Sequence, residues 1–288
     1  MFKVAILGCE NSHANHFLNI VLNEKKVDDV EFVGVYSDDV AASKKLNESF
    51  GVPIMDNYDS LVGQVDGIII TARHGDNHYK YAKPYIASGI PMFVDKPITC
   101  DEQEAVAFMK ELKAAGGKVN GGSSLIHAGL IKEFKEVVES QSEGKVYSGY
   151  FRSPVSIDSV HGGFYFYAQH LVQVVLQVFG YYPKSVKAYR NDGHVMALLH
   201  YDNYNVALDF GIHSYYHACI NTDKGIRADS YSVDGCYAAE FMEFNAMLHG
   251  EAQPLSYNDF IAPVSVINAI KRSYENGTEE AIVYAEQI

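Results

Sequence analysis

Met92-Phe93-Val94-Asp95-Lys96-Pro97-Ile98 reads as a short buried β-strand that ends on an acid, a lysine and a proline. In an open α/β sheet, ligands are met beyond the carboxyl ends of the parallel strands, so Lys96 stands where a ligand would be contacted. Everything upstream bears on whether the sheet is of that kind. Residues 3–8 (Lys-Val-Ala-Ile-Leu-Gly) form an apolar run with strand character, and residues 13–22 follow with Phe17, Ile20 and Val21 on one helical side. The same alternation continues: strand 30–36, helix 40–50, strand 65–71, helix 78–88 closed by Gly89, strand 91–94, helix 101–115 stopped by Gly116-Gly117, and strand 118–120. Strands separated by helices imply a parallel, doubly wound sheet.

After residue 121 the rhythm changes. Residues 130–138 and 167–179 have helical patterning, while 185–190, 194–200 and 205–212 read as consecutive strands, with Tyr201-Asp202-Asn203-Tyr204 as a hairpin connection. This is the pattern of an antiparallel sheet with helices on one side. A last helix is expected over 262–274. The expected fold is therefore α/β, with a parallel-sheet domain over 1–121 and an α+β domain with an open, mainly antiparallel sheet over 122–288.

Composition narrows the function. The 288 residues are 48% hydrophobic, enough for a substantial core. A formal net charge of −13, with no basic cluster longer than Lys271-Arg272, argues against a nucleic-acid partner. No apolar run approaches the roughly 20 residues needed to cross a bilayer, and no leader pattern opens the chain, so no membrane partner is expected. Cys9, Cys100, Cys219 and Cys236 are scattered without disulfide or zinc spacing, which fits a reducing cytoplasm.

Four landmarks in register resemble the family of glucose-fructose oxidoreductase, inositol dehydrogenase and MocA (Gfo/Idh/MocA). They are Val65–Thr71 before a cofactor loop, Val94-Asp95-Lys96-Pro97 at the Glu-Lys-Pro motif, Gly162-Gly163 followed by His170, and Phe241 through Gly250 to Pro254 followed by 269–277. The resemblance covers nearly the whole chain. It implies an N-terminal Rossmann domain binding NAD or NADP, and hydride transfer to or from a sugar, polyol or related hydroxy compound.

Cofactor contacts are then expected from Gly8, Cys9, Asn11, Ser12 and His13 after the first strand, and from Ser37 and Asp38 after the second. Thr71, Ala72, Arg73 and His78 follow the third, and Asp95, Lys96 and Pro97 the fourth. The phosphate loop departs from the three-glycine fingerprint: Gly8 keeps the first place, but Glu10 and His13 occupy the second and third. A carboxylate beside a pyrophosphate is repulsive, whereas Asn11 and Ser12 can cap the helix or donate to phosphate, and His13 or His16 would supply charge if protonated. Ser37 holds the family's usual acidic position, with Asp38 next to it. An acid there accepts from the ribose 2'-hydroxyl and repels a 2'-phosphate, whereas NADP users tend to place an arginine nearby, so NAD is preferred over NADP. His74 and His78 lie four apart with no visible third ligand, so no metal is expected.

By the same resemblance, Lys96 polarises the substrate oxygen and His170 accepts the hydroxyl proton. The aspartate usually four residues before that histidine is replaced by Phe166, and Tyr167, three before His170, is a candidate to orient substrate or relay a proton. Glu10 and Phe166 keep a second reading open, a non-catalytic nucleotide- or ligand-binding regulatory protein of the same fold. His194, His200, His213 and His217 fall on or beside the later strands, where interface or surface roles are expected. Val195, Ala197, Leu199 and Val206, Leu208, Phe210 alternate to give that sheet one apolar face, which predicts a homodimer or homotetramer through it.

Overall fold

In strand β1 (Phe2–Leu7) the last four side chains are all fully buried, which happens only when both faces of a strand are covered. The computed structural model describes residues 1–288 and supplies those covers. β1 pairs in parallel with β2 (Val30–Tyr36) on one side and β3 (Gly67–Ile70) on the other, and β4 (Met92–Asp95) and β5 (Val119–Gly122) extend the sheet in the order β2-β1-β3-β4-β5. Helices α1 (Ser12–Leu22), α2 (Val40–Phe50), α3 (Asp76–Ile86) and α4 (Glu102–Ala114) connect them. Strand order reverses between β1 and β3, so the crevice beyond their carboxyl ends is the place where such a sheet takes a ligand. The side chains of Asp39 and Asp101 cap α2 and α4 by accepting from their first-turn N–H groups. Helix α3 starts at Asp76, two residues earlier than expected, where an acid favours the positive end of the helix.

The chain continues through α5 (Gly129–Ser140), β6 (Val146–Pro154), α6 (Tyr165–Phe179), β7 (Ser185–Asn191), β8 (His194–His200), β9 (Asn205–Gly211), β10 (His217–Thr222) and β11 (Gly225–Ser230). Then come α7 (Cys236–Leu248), α8 (Tyr257–Asn276) and β12 (Glu280–Ala281). β6 to β12 form a seven-stranded sheet in the order β11-β10-β6-β9-β8-β7-β12, antiparallel at every junction except the parallel pair β6–β9. Two compact units result: residues 1–122 with 237–257 and Ile288, and residues 123–236 with 258–287. No helix is long and apolar enough to cross a membrane.

Strands β6, β10, β11 and β12 and helix α7 go beyond the expected elements, and one expected sheet face is differently placed. Helix α7 has apolar residues around most of its circumference, so no helical stripe shows in its sequence; Phe241, Phe244 and Met247 are buried with Val4, Phe17, Ile69 and Phe93 in the core of the first unit. The alternating apolar run of β8 and β9 is not an exposed face. Val195, Ala197, Leu199, Val206, Leu208 and Phe210 are all buried in one cluster with Leu171, Val172 and Val175 of α6, so this face is the unit's own core and gives no ground for association. The opposite face carries His194, bonded to Asp209 at 2.6 Å, and His200, bonded to Asn205 at 2.7 Å.

Candidate functional site

The loop after β1 is shaped by one close approach. Gly8 has φ +87°, and a Cβ added to it would lie 2.2 Å from the backbone nitrogen of Ala72, so the ends of β1 and β3 touch where only glycine fits. The Gly8 N–H donates to the Tyr36 carbonyl at 2.7 Å, and the Thr71 hydroxyl donates to the Gly8 carbonyl. Thr71 and Ala72, two of the expected cofactor residues, are fully buried at this approach. Cys9 is buried as well, its thiol pushed up to about 12 by burial, and Ser43 donates to its sulfur.

Glu10 does not lie against the start of α1. Its carboxylate accepts from the Ser37 hydroxyl at 2.6 Å and from the Arg73 backbone N–H at 2.9 Å, while the Arg73 guanidinium donates to the Glu10 carbonyl at 2.8 Å. The carboxylate is thus anchored by partners at the end of β2 and in the loop after β3. Asp38 is held elsewhere, accepting from the Tyr36 hydroxyl at 2.7 Å and from Lys80 at 3.2 Å. A crevice of about 590 Å³ opens between these elements, lined among others by Glu10, Ser12, His16, Asp39, Lys45 and Arg73. The first-turn N–H groups of α1 lie at its head, where an anion is favoured.

Behind the crevice lies a buried ionic cluster. Asp95, the last residue of β4, is fully buried; its carboxylate accepts from the Lys96 N–H at 2.7 Å and from the Asn11 side chain, with Lys96 Nζ at 3.7 Å. His13, at the place of the third glycine, faces this interior instead of the crevice. Its Nδ1 is 3.4 Å from Asp95 and its Nε2 is 3.4 Å from Glu240 of α7. Burial alone would lower the His13 pKa, but the two carboxylates outweigh it and the net direction is upward. Burial pushes Glu240 up to about 7, against the pull of His13. His16 does line the crevice, stacked on Tyr237 at 4.0 Å, and burial lowers its pKa, so it is mainly neutral at pH 7.

The cluster makes a pH prediction. A group whose folded pKa is raised contributes stability that is present below its unfolded pKa and lost as pH rises through the folded one. For Glu240 that window runs from its ordinary 4.5 to about 7, and His13 shifts in the same sense from 6.5 upward. Glu240→Gln cannot ionise, so its stability relative to wild type should rise by on the order of 3 kcal/mol between pH 4.5 and pH 7.5. Urea melts at several pH values measure this, and parallel curves for the two proteins would refute it.

The loops after β3 and β4 are tied by His78, which is fully buried with its ring nitrogens 2.6 Å from the Pro97 carbonyl and 2.8 Å from the Ala72 carbonyl. Burial lowers its pKa, so the neutral ring donates to one of the two. His78 is therefore not available as a ligand beside His74. Asp76 and Cys100 stand near His74 instead, with ligand atoms within 4.8 Å of one another, and Cys100 is a thiol pushed up to about 12 by burial and by Asp76.

In the second unit, His170 of α6 is buried and its Nδ1 shares a 2.7 Å hydrogen bond with the Ser123 hydroxyl. The Ser123 N–H donates to Gln173 Oε1 at 2.8 Å, one helical turn beyond His170. Tyr167 packs edge-on against His170 with ring centroids 5.3 Å apart, and Phe166 contacts the rings of His161 and Tyr167. Ser123 and Gln173 were missed in the sequence. A signal existed: Gln169 and Gln173 are polar residues buried in an otherwise apolar helix, and such groups need partners. Glu240, buried in the mostly apolar α7, carried the same kind of signal.

Residues 2–122 match the Gfo/Idh/MocA family, described as an oxidoreductase family with an NAD-binding Rossmann fold. No curated protein sequence matches the chain. Among solved structures, myo-inositol 2-dehydrogenase from Lactobacillus plantarum aligns over 98% of this chain and 99% of its own, with a TM-score of 0.87 and 16% identity. A myo-inositol dehydrogenase from Corynebacterium glutamicum aligns over 99% and 100%, with a TM-score of 0.84 and 15% identity. GenD2 from gentamicin A biosynthesis, in complex with NAD, aligns over 98% and 96%, with a TM-score of 0.82 and 14% identity. Residues 2–122 thus match the NAD-binding Rossmann fold of the Gfo/Idh/MocA oxidoreductase family, and nearly the whole chain shares its fold with these dehydrogenases.

Proposed function

We propose that this protein is an NAD(P)-dependent oxidoreductase, with NAD preferred, acting between a nicotinamide and a hydroxyl-bearing carbon of a sugar, polyol or related small molecule. The observation that carries the reading is Lys96. It is buried at the carboxyl end of β4, 3.7 Å from the buried carboxylate of Asp95. Taking both charges out of water costs stability, and a buried charged pair at the strand end where such sheets meet ligands is a candidate for chemistry.

The residues present fit a dinucleotide. The crevice beyond β1 and β2 has the volume for an adenosine half, the start of α1 offers N–H groups to a pyrophosphate, and Ser12, Lys45 and Arg73 add polar and cationic side chains. When bound, the nicotinamide supplies the site that takes up or gives back hydride. Lys96 then stabilises negative charge on the substrate oxygen. His170 takes the hydroxyl proton at Nε2, its ring oriented by Ser123 at Nδ1, and Tyr167 orients the substrate beside it.

One observation favours the second reading, a regulatory binding protein that has lost turnover. Phe166 stands where a carboxylate is usual and is packed among aromatic rings, so no negative charge supports His170 from that position. Titration with NADH and NADPH, followed by nicotinamide fluorescence, tests the first reading. Saturable binding in the micromolar range is expected. No binding of either at millimolar concentration would sink it, and binding without turnover on a polyol and sugar panel would favour the second. As part of the same proposal, the protein works in the cytoplasm, consistent with four free cysteines, and associates through the outer face of the seven-stranded sheet, which sedimentation velocity would check.

A further inference from the structure

We infer that Glu10 supplies the carboxylate that binds the adenosine ribose and excludes a 2'-phosphate, a task usually given to an acid at the end of the second strand. The inference rests on the nucleotide-binding reading above and names the residue behind its NAD preference. The usual position is held by Ser37, whose side chain carries no charge. Of the two acids that follow it, Asp38 pairs with the Tyr36 hydroxyl and Lys80 and is not among the residues lining the crevice, while Asp39 turns Oδ1 to the N–H groups of Ala41 and Ala42 at 3.0 and 3.2 Å, where it caps α2.

Glu10 reaches the vacated place from the other strand. Ser37 Oγ donates to one of its oxygens at 2.6 Å and the Arg73 N–H donates to the other at 2.9 Å, so the carboxylate is anchored beside the end of β2. Each carboxylate oxygen accepts two hydrogen bonds, and one acceptor position on each remains for a diol. Glu10 also lines the 590 Å³ crevice together with Asp39, Lys45 and Arg73. A 2'-phosphate entering there would meet the fixed negative charge of Glu10, whereas a ribose hydroxyl would donate to it. Removing that charge leaves Lys45 and Arg73 with Asp39 as the charged groups lining the crevice, a net positive set that suits a phosphate better.

The test is a fluorescence titration of the intact wild-type protein, Glu10→Gln and Ser37→Ala with NADH and with NADPH. Wild type should bind NADH more tightly. In Glu10→Gln the ratio of the two dissociation constants should shift toward NADPH by at least about tenfold, through weaker NADH binding and stronger NADPH binding. Ser37→Ala, which only loosens the anchor, should shift it in the same direction by less. An unchanged ratio in Glu10→Gln overturns the inference while leaving nucleotide binding intact. So does an equal gain for both coenzymes, which would make Glu10 a plug in the crevice. Failure of all three proteins to bind either coenzyme overturns the nucleotide reading and the inference together.

Discussion

Lys96→Met should lower kcat by about two to three orders of magnitude while leaving the NADH dissociation constant within about threefold of wild type. The ammonium acts on charge that is larger in the transition state than in the bound substrate, so its loss falls on turnover. Methionine keeps most of the side-chain length without the charge. Asp95 would lose one cation but keep the N–H of residue 96, the Asn11 amide and His13, so the strand end should hold its shape. Steady-state kinetics with a responsive polyol, alongside the fluorescence titration, separate the two effects. Equal losses in affinity and turnover would reduce Lys96 to a clamp on the cofactor.

Gly8→Ala should remove on the order of 4 kcal/mol of stability or more, which for a chain of this size is a fall of ten degrees or so in Tm. Two costs add. A left-handed φ of +87° disfavours any residue with a Cβ, and that Cβ would stand 2.2 Å from the Ala72 nitrogen. Neither side can yield, because β1 and β3 are adjacent paired strands in the centre of the sheet. Gly51→Ala is the matched control: its φ is +73°, but an added Cβ there meets nothing, so only the backbone term of about 1 kcal/mol applies. Thermal melts of the two variants should differ widely. Equal falls would show that the β1–β3 approach is not a constraint.

The same contrast between local and distant causes explains what was legible in the chain. The five parallel strands and their helices could be read because each announces itself within a few residues, by apolar runs, caps and glycine stops. β11 could not: it is an edge strand, exposed along most of its length, with no alternation to betray it. Lys96 and His170 were found by their place in recognisable landmarks. The residues that hold His170 were not, since Ser123 lies 47 positions away in ordinary sequence surroundings and Gln173, a helical turn on, signals only that it needs some partner.

Sequence by itself determined the fold class and the order of strands and helices in the parallel sheet, because periodicity and motif spacing are properties of neighbouring residues. Tertiary structure decided what the unusual residues do. Glu10, which in sequence opposes a pyrophosphate, is carried to Ser37 and Arg73, 27 and 63 positions along the chain. His13, expected at the phosphate, is turned inward between Asp95 and Glu240. The apolar stripe of β8 and β9, expected to meet another subunit, is covered by the unit's own helix α6. A side chain's charge and shape are written in the sequence, but its partner is set by which strands and helices pack together, and no local pattern encodes that choice.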